Sequence, residues 1–144
     1  MEQGQWGPRG PQPERTVRTR LRTLFRSSAV IWLARIGLVL TLIIVTQQSL
    51  AAPTGAMGFP FADKIAHFLA YAAIAGAALL SGWMRWAFAI AFATLWGAGV
   101  EVAQGVMDIG REPSAFDGLA NLLGATFGAM LALGLRGSEG IRAG

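Results

Sequence analysis

Apolar residues along this chain fall into four long runs, at residues 30–50, 65–83, 86–107 and 116–135. Each is long enough to cross a hydrocarbon core about 30 Å thick as a helix rising about 1.5 Å per residue. The runs are rich in Ala, Leu, Ile and Phe and lack the alternation of a strand, and four strands are too few to close a barrel. Helices are then the spanning structure that satisfies the backbone inside lipid. The expected fold is all-α, a polytopic membrane protein built as a bundle of four transmembrane helices. Residues 1–29 read as a tail and residues 30–135 as the membrane domain. Residues 136–144 read as a second, short tail.

The tail before the first run has two parts. Residues 1–13 carry three glycines and three prolines with no apolar period, and read as disordered. From Arg15 to Ser28, Val17, Leu21, Leu24 and Phe25 share one helical face, and Arg15, Arg18, Arg22 and Arg26 share another. A basic amphipathic segment beside a hydrophobic span suits the surface of an anionic membrane. No recognition motif accompanies these arginines, so membrane lipid rather than nucleic acid is the expected partner.

Composition agrees. Hydrophobic residues make up 53% of the 144 and charged residues 14%, against about 25% in an average soluble protein. That balance argues against an ordinary soluble enzyme. The chain has no cysteine and one histidine, which excludes a disulfide framework, a thiolate metal site, a cysteine nucleophile and a multi-histidine site within one chain. Charge placement sets an orientation. With the N-terminus inside, the seven arginines up to Arg35, together with Arg85, Arg136 and Arg142, lie on the cytoplasmic side, and Lys64 and Arg111 lie outside. Trp32, Trp83 and Trp86 then fall at the inner interface, and Arg35 can snorkel to the inner headgroups. The expected location is a bacterial cytoplasmic (inner) membrane, multi-pass, with both termini cytoplasmic. One alternative reads residues 36–45 as a signal-peptide core, with Ser49-Leu50-Ala51 as a cleavage site.

Polar positions inside the runs are concentrated at one end. Asp63, His67 and Tyr71 recur every fourth residue at the start of the second run, with Lys64 beside them. Glu101, Gln104 and Asp108 share a face near the end of the third, Arg111 and Ser114 follow in the loop, and Asp117 and Asn121 open the fourth. Ionisable groups in a span cost roughly 2.5 to 3.5 kcal/mol each unless they pair or line a wet cavity. The expectation is therefore an outward-facing pocket lined by His67, Tyr71, Glu101, Gln104, Arg111, Asp117 and Asn121. In it, His67, Glu101 and Arg111 cluster and Arg111 balances the carboxylates. Gly124 and Gly128 mark a close helix contact, within the bundle or in a homodimer; the oligomeric state stays open.

These pieces together resemble a known family. Asp63-Lys64-x-x-His67-Phe68-x-x-Tyr71, then Glu101-x-x-Gln104, then Arg111-x-x-Ser114-x-x-Asp117-x-x-x-Asn121-x-x-Gly124 is similar to the signature of VanZ-like membrane proteins. The resemblance covers roughly residues 60 to 130. It implies a small bacterial polytopic membrane protein concerned with the cell envelope; the family takes its name from a protein linked to teicoplanin resistance. It supplies no reaction.

Simpler roles stand beside the sharper ones. Asp63 also reads as the N-cap of the second span, and Ser114-x-x-Asp117 as a capping box for the fourth. Tyr71 reads as a packed aromatic, Asn121 as a hydrogen bond between helices, and Asp108 and Glu112 as solvated loop charges. Two uses of the cluster remain. One is binding of an envelope component, a lipid headgroup or lipid-linked precursor, through Asp63, Tyr71, Gln104, Arg111, Asp117 and Asn121. The other is acid–base chemistry by His67 and Glu101 on such an amphiphile; whether the chain is an enzyme is undecided, since no nucleophile stands out. No cofactor is implied and no metal is assigned, although Asp63, His67, Glu101 and Asp117 form a donor set an oxygen-preferring ion would accept.

Overall fold

The computed structural model describes residues 13–51, 61–107 and 114–137, with side chains from Val17 onward except Arg18. Five helices follow one another: α1 Pro13–Phe25, α2 Ser28–Leu50, α3 Ala62–Leu80, α4 Trp86–Met107 and α5 Ala115–Arg136. Among the described residues there is no strand. The last four helices are each long and apolar enough to cross a membrane, and the chain is a multi-pass membrane protein. Residues 1–12, most of the stretch expected to be disordered, lie outside the described residues, as does most of the short C-terminal tail.

The spans run up, down, up, down. One end gathers the start of α2, the end of α3, the start of α4 and the end of α5. There Arg35 donates from Nε to the Ser81 carbonyl at 3.2 Å, and Arg136 donates from Nη2 to the Leu80 carbonyl at 3.2 Å. Both cations therefore meet the carbonyls that the end of α3 leaves free, where the helix dipole is negative. The Arg35 guanidinium also lies over Trp32 and Trp83, at 5.0 and 5.4 Å from the ring centroids. Arg35 thus closes the end of a neighbouring helix beside two of the tryptophans expected at the inner interface. Helix α1 lies at the same end, its Arg22 side chain beside Gly137 at the end of α5. Val17, Leu21 and Leu24 of α1 are exposed along with Arg20 and Arg22, as an interfacial helix requires.

Helix α3 runs from Ala62 to Leu80, starting and stopping three residues before the apolar run does. It starts early because Asp63 and Lys64, polar in sequence, form its first turn. It stops early because Gly82, at φ 76°, turns the chain, and Ser81 closes that turn by donating to the Ala78 carbonyl and accepting from the Trp83 N–H. Asp63 is not the N-cap: Phe61 holds that position at φ 63°, and Asp63 lies within the helix.

Helices α3 and α5 share the largest interface. Small residues make it: a Cβ on Gly124 would overlap the Phe68 carbonyl oxygen, and one on Gly128 would overlap that of Ala72. Gly76 faces Gly128 across the same seam. The Gly124–Gly128 pair is thus occupied by α3 of the same chain. Tyr71, Ile74, Ala75, Ala78, Ala89 and Ala125 are buried in the centre, with Leu38 of α2 packed against them. Outside that core the bundle is apolar at its surface. Leu33, Leu95, Val106 and Phe116 are 67, 70, 80 and 74% exposed, a cost in water and none in lipid. Helix α2 runs unbroken through Ser49 and docks on the others: the Gln104 amide donates to the Ser49 carbonyl at 2.8 Å, and Trp96 Nε1 donates to Thr46 at 3.1 Å.

Candidate functional site

The end of the bundle opposite the arginines carries the polar residues. The period of α3 puts Lys64, His67 and Tyr71 on one face at its start. The late turns of α4 bring Glu101, and the first two turns of α5 bring Asp117 and Asn121. The close approach of α3 and α5 along the glycine seam lets these short side chains meet. His67 Nδ1 lies 2.9 Å from Asn121 Oδ1, and His67 Nε2 lies 4.0 Å from Asp117 Oδ2. Glu101 completes the group: one ligand atom each from His67, Glu101 and Asp117 lies within 4.8 Å of the others. All three side chains are partly buried.

Each has a second tie. The Ser114 backbone N–H donates to Glu101 Oε2 at 2.9 Å, across the connection from α4 to α5. Lys64 Nζ is ion-paired with Asp117 Oδ1 at 2.5 Å and with Asp63 Oδ2 at 2.6 Å. Below the cluster, Tyr71 is buried and parallel to the His67 ring, with centroids 6.2 Å apart and planes 1° from parallel. Gly97 of α4 makes room for this layer: a Cβ there would come within 2.5 Å of Asn121 Nδ2 and 2.9 Å of the Tyr71 ring. Asn121 is 1% exposed, and its Nδ2 has no hydrogen-bond partner among the described residues.

Of the residues singled out in the sequence, the structure brings His67, Tyr71, Glu101, Asp117 and Asn121 together. Asp63 is exposed, paired with Lys64 and outside the group, so the four-residue donor set reduces to three. Gln104 does not line the site either. It is buried, and its amide reaches toward α2: three residues on from Glu101, its side chain leaves α4 about 60° round the helix, enough to meet Ser49 in place of the cluster. Ser114 does hold the N-cap position of α5, but its side chain makes no capping bond; its backbone N–H serves Glu101 instead. Arg111, Asp108 and Glu112 lie outside the described residues.

Gly97 allows the close approach expected of the small residues in the third run, whereas Lys64 and Ser114 take roles the sequence pattern did not assign them. Lys64, which the sequence pattern places only beside the Asp63–His67–Tyr71 stripe, is the described cation nearest the carboxylates. Its spacing carried the signal, since Lys64, His67 and Tyr71 at i, i+3 and i+7 share a face as well as Asp63, His67 and Tyr71 do. The role of Ser114 is made by its backbone, on which side-chain type has no bearing. No family model, curated protein or solved structure matches this chain.

Proposed function

We propose that this chain is a VanZ-like protein of the bacterial cytoplasmic membrane, with both termini inside. On this reading its polar end faces outward and binds the headgroup of an envelope amphiphile, a lipid or a lipid-linked precursor. One observation carries it: three helices converge His67, Glu101 and Asp117 at a single end of a bundle whose flanks are apolar. Polar groups at that depth persist where something polar meets them, and a molecule that presents a headgroup while keeping its chains in lipid reaches such a site from the side. The basic helix α1 and the excess of arginines at the other end support placing that end, with both termini, on the inside. A part in glycopeptide resistance would follow from handling such a precursor.

A second reading, acid–base chemistry on the same amphiphile, is favoured by the Asn121–His67 hydrogen bond, which fixes the ring and directs Nε2 toward the carboxylates. Lipid-resolved mass spectrometry of the envelope separates the two, comparing cells that lack the chain with cells that carry it or its His67→Ala variant. Binding predicts an amphiphile that co-purifies with the wild type and is lost in the variant. Catalysis predicts a new species formed at the expense of another. Identical profiles and identical co-purifying lipids in all strains would refute both.

A further inference from the structure

We propose that His67, Glu101 and Asp117 form a binding site for one first-row divalent cation, Mn2+ or Zn2+, which in turn receives an anionic headgroup. The second half rests on the headgroup reading above; the cation site stands on geometry alone.

The three groups share one pattern. Each is held through one atom by a neighbour outside the trio and has a second donor atom not used in that contact. His67 Nδ1 lies 2.9 Å from Asn121 Oδ1, and in the neutral tautomer that donates there Nε2 is an acceptor. Glu101 takes the Ser114 N–H on Oε2, at 2.9 Å, which leaves its other oxygen. Asp117 meets Lys64 through Oδ1, which leaves Oδ2 facing His67 Nε2 at 4.0 Å. No hydrogen bond joins any two of the three. Acceptors turned toward one another repel unless a cation lies between them, and ligands oriented from behind by an amide, a backbone N–H and an ammonium are what a metal centre's outer shell provides.

The spacing is close to what an ion needs. Bonds of about 2.0 to 2.2 Å place neighbouring ligand atoms about 3 Å apart. The ligand atoms here lie within 4.8 Å of one another, and each carboxylate is held through one oxygen, so rotation about its side-chain bonds is the movement that would bring the set to bonding distance. The donor set selects the ion. One imidazole with two carboxylates is harder than a zinc-finger site and softer than the all-oxygen sets of Ca2+ and Mg2+. The cation also resolves an electrostatic difficulty in the headgroup reading. Among the described residues the two carboxylates of the group, Glu101 and Asp117, outnumber Lys64, the cation paired with them, a balance that disfavours phosphate or carboxylate. A divalent ion on three protein ligands reverses that and keeps open positions for headgroup oxygens.

The test uses tag-free, full-length protein in detergent, stripped with chelator and titrated with Mn2+, Zn2+ or Mg2+, followed by calorimetry and by the Mn2+ electron paramagnetic resonance signal. The expected result is one Mn2+ or Zn2+ per chain, with Mg2+ at least about tenfold weaker. Glu101→Gln, nearly isosteric, and His67→Ala should each weaken binding by more than about 100-fold, beyond the usual outer-shell loss. Asp63→Asn should leave it within about twofold, because Asp63 lies outside the group. Circular dichroism and size exclusion establish that each variant is folded. Absence of saturable binding in the wild type, or equal affinity in folded Glu101→Gln, would overturn the proposal. If Mn2+ fails to bind while the His67-dependent lipid change persists, the cation is refuted and the headgroup reading survives. If Mn2+ binds and lipids are unaffected, the cation site stands without that role.

Discussion

Gly128→Ala, set against Gly134→Ala on the same helix, tests whether the α3–α5 seam organises this protein. Both changes add one methyl group to α5 and carry the same intrinsic Gly-to-Ala preference. Their surroundings differ. At Gly134 a Cβ would meet nothing within 4 Å. At Gly128 it would overlap the Ala72 carbonyl oxygen and come within 2.7 Å of the Ala72 Cα. Carbon atoms pack at about 3.5 to 4.0 Å, so the two backbones must part by about 1 Å. The obstructing atoms belong to a helix backbone and cannot rotate away, which places the cost toward the top of the overpacking range, about 1 to 3 kcal/mol. Parting there also strains the seam at Gly76, whose added Cβ would stand 3.3 Å from the Gly128 carbonyl oxygen. The assay is equilibrium unfolding in mixed micelles of mild detergent and dodecyl sulfate, followed by helical circular dichroism. Gly134→Ala should equal or exceed the wild type, and Gly128→Ala should fall below Gly134→Ala by about 1 to 3 kcal/mol. Coincident transitions for the two variants would refute the close-packed seam.

Three further outcomes are expected. A reporter active only outside the cytoplasmic membrane should be silent when fused after Arg142 and active when inserted near Thr54; activity after Arg142 would mean an odd number of spans. Gln104→Leu should lower stability by about 0.6 to 1.7 kcal/mol in the unfolding assay, because the amide's bond to Ser49 ties α4 to α2; no loss would mean that α2 docks without it. Asn121→Ala should lower Mn2+ affinity by about 10- to 100-fold by releasing the His67 ring, while Gly134→Ala leaves it unchanged; equal affinities in the two would remove Asn121 from a positioning role.

The four spans, their approximate limits and the concentration of polar residues at one end were legible in the sequence, because they follow from local facts. A run of about twenty apolar residues has one stable form in lipid, and the alternating direction of successive spans puts His67, Asp117 and Asn121, early in their helices, at the same end of the bundle as Glu101, late in its own. The glycine pair was legible for the same reason: a missing side chain marks a close contact wherever its partner lies. The identity of that partner was decided by tertiary structure. Packing against α3 of the same chain fixes which residues Gly124 and Gly128 meet, and this brings His67 to Asn121. Helix rotation decided the rest. Glu101 and Gln104 are three residues apart, and a sequence pattern places them on one face; in the bundle one points into the cluster and the other toward α2. Lys64 reaches Asp117 only because α3 and α5 pack together; sequence position alone does not bring the two side chains to one another. Which residues share an end is a property of one helix, whereas which atoms touch depends on the rotation and approach of two, and only their packing fixes those.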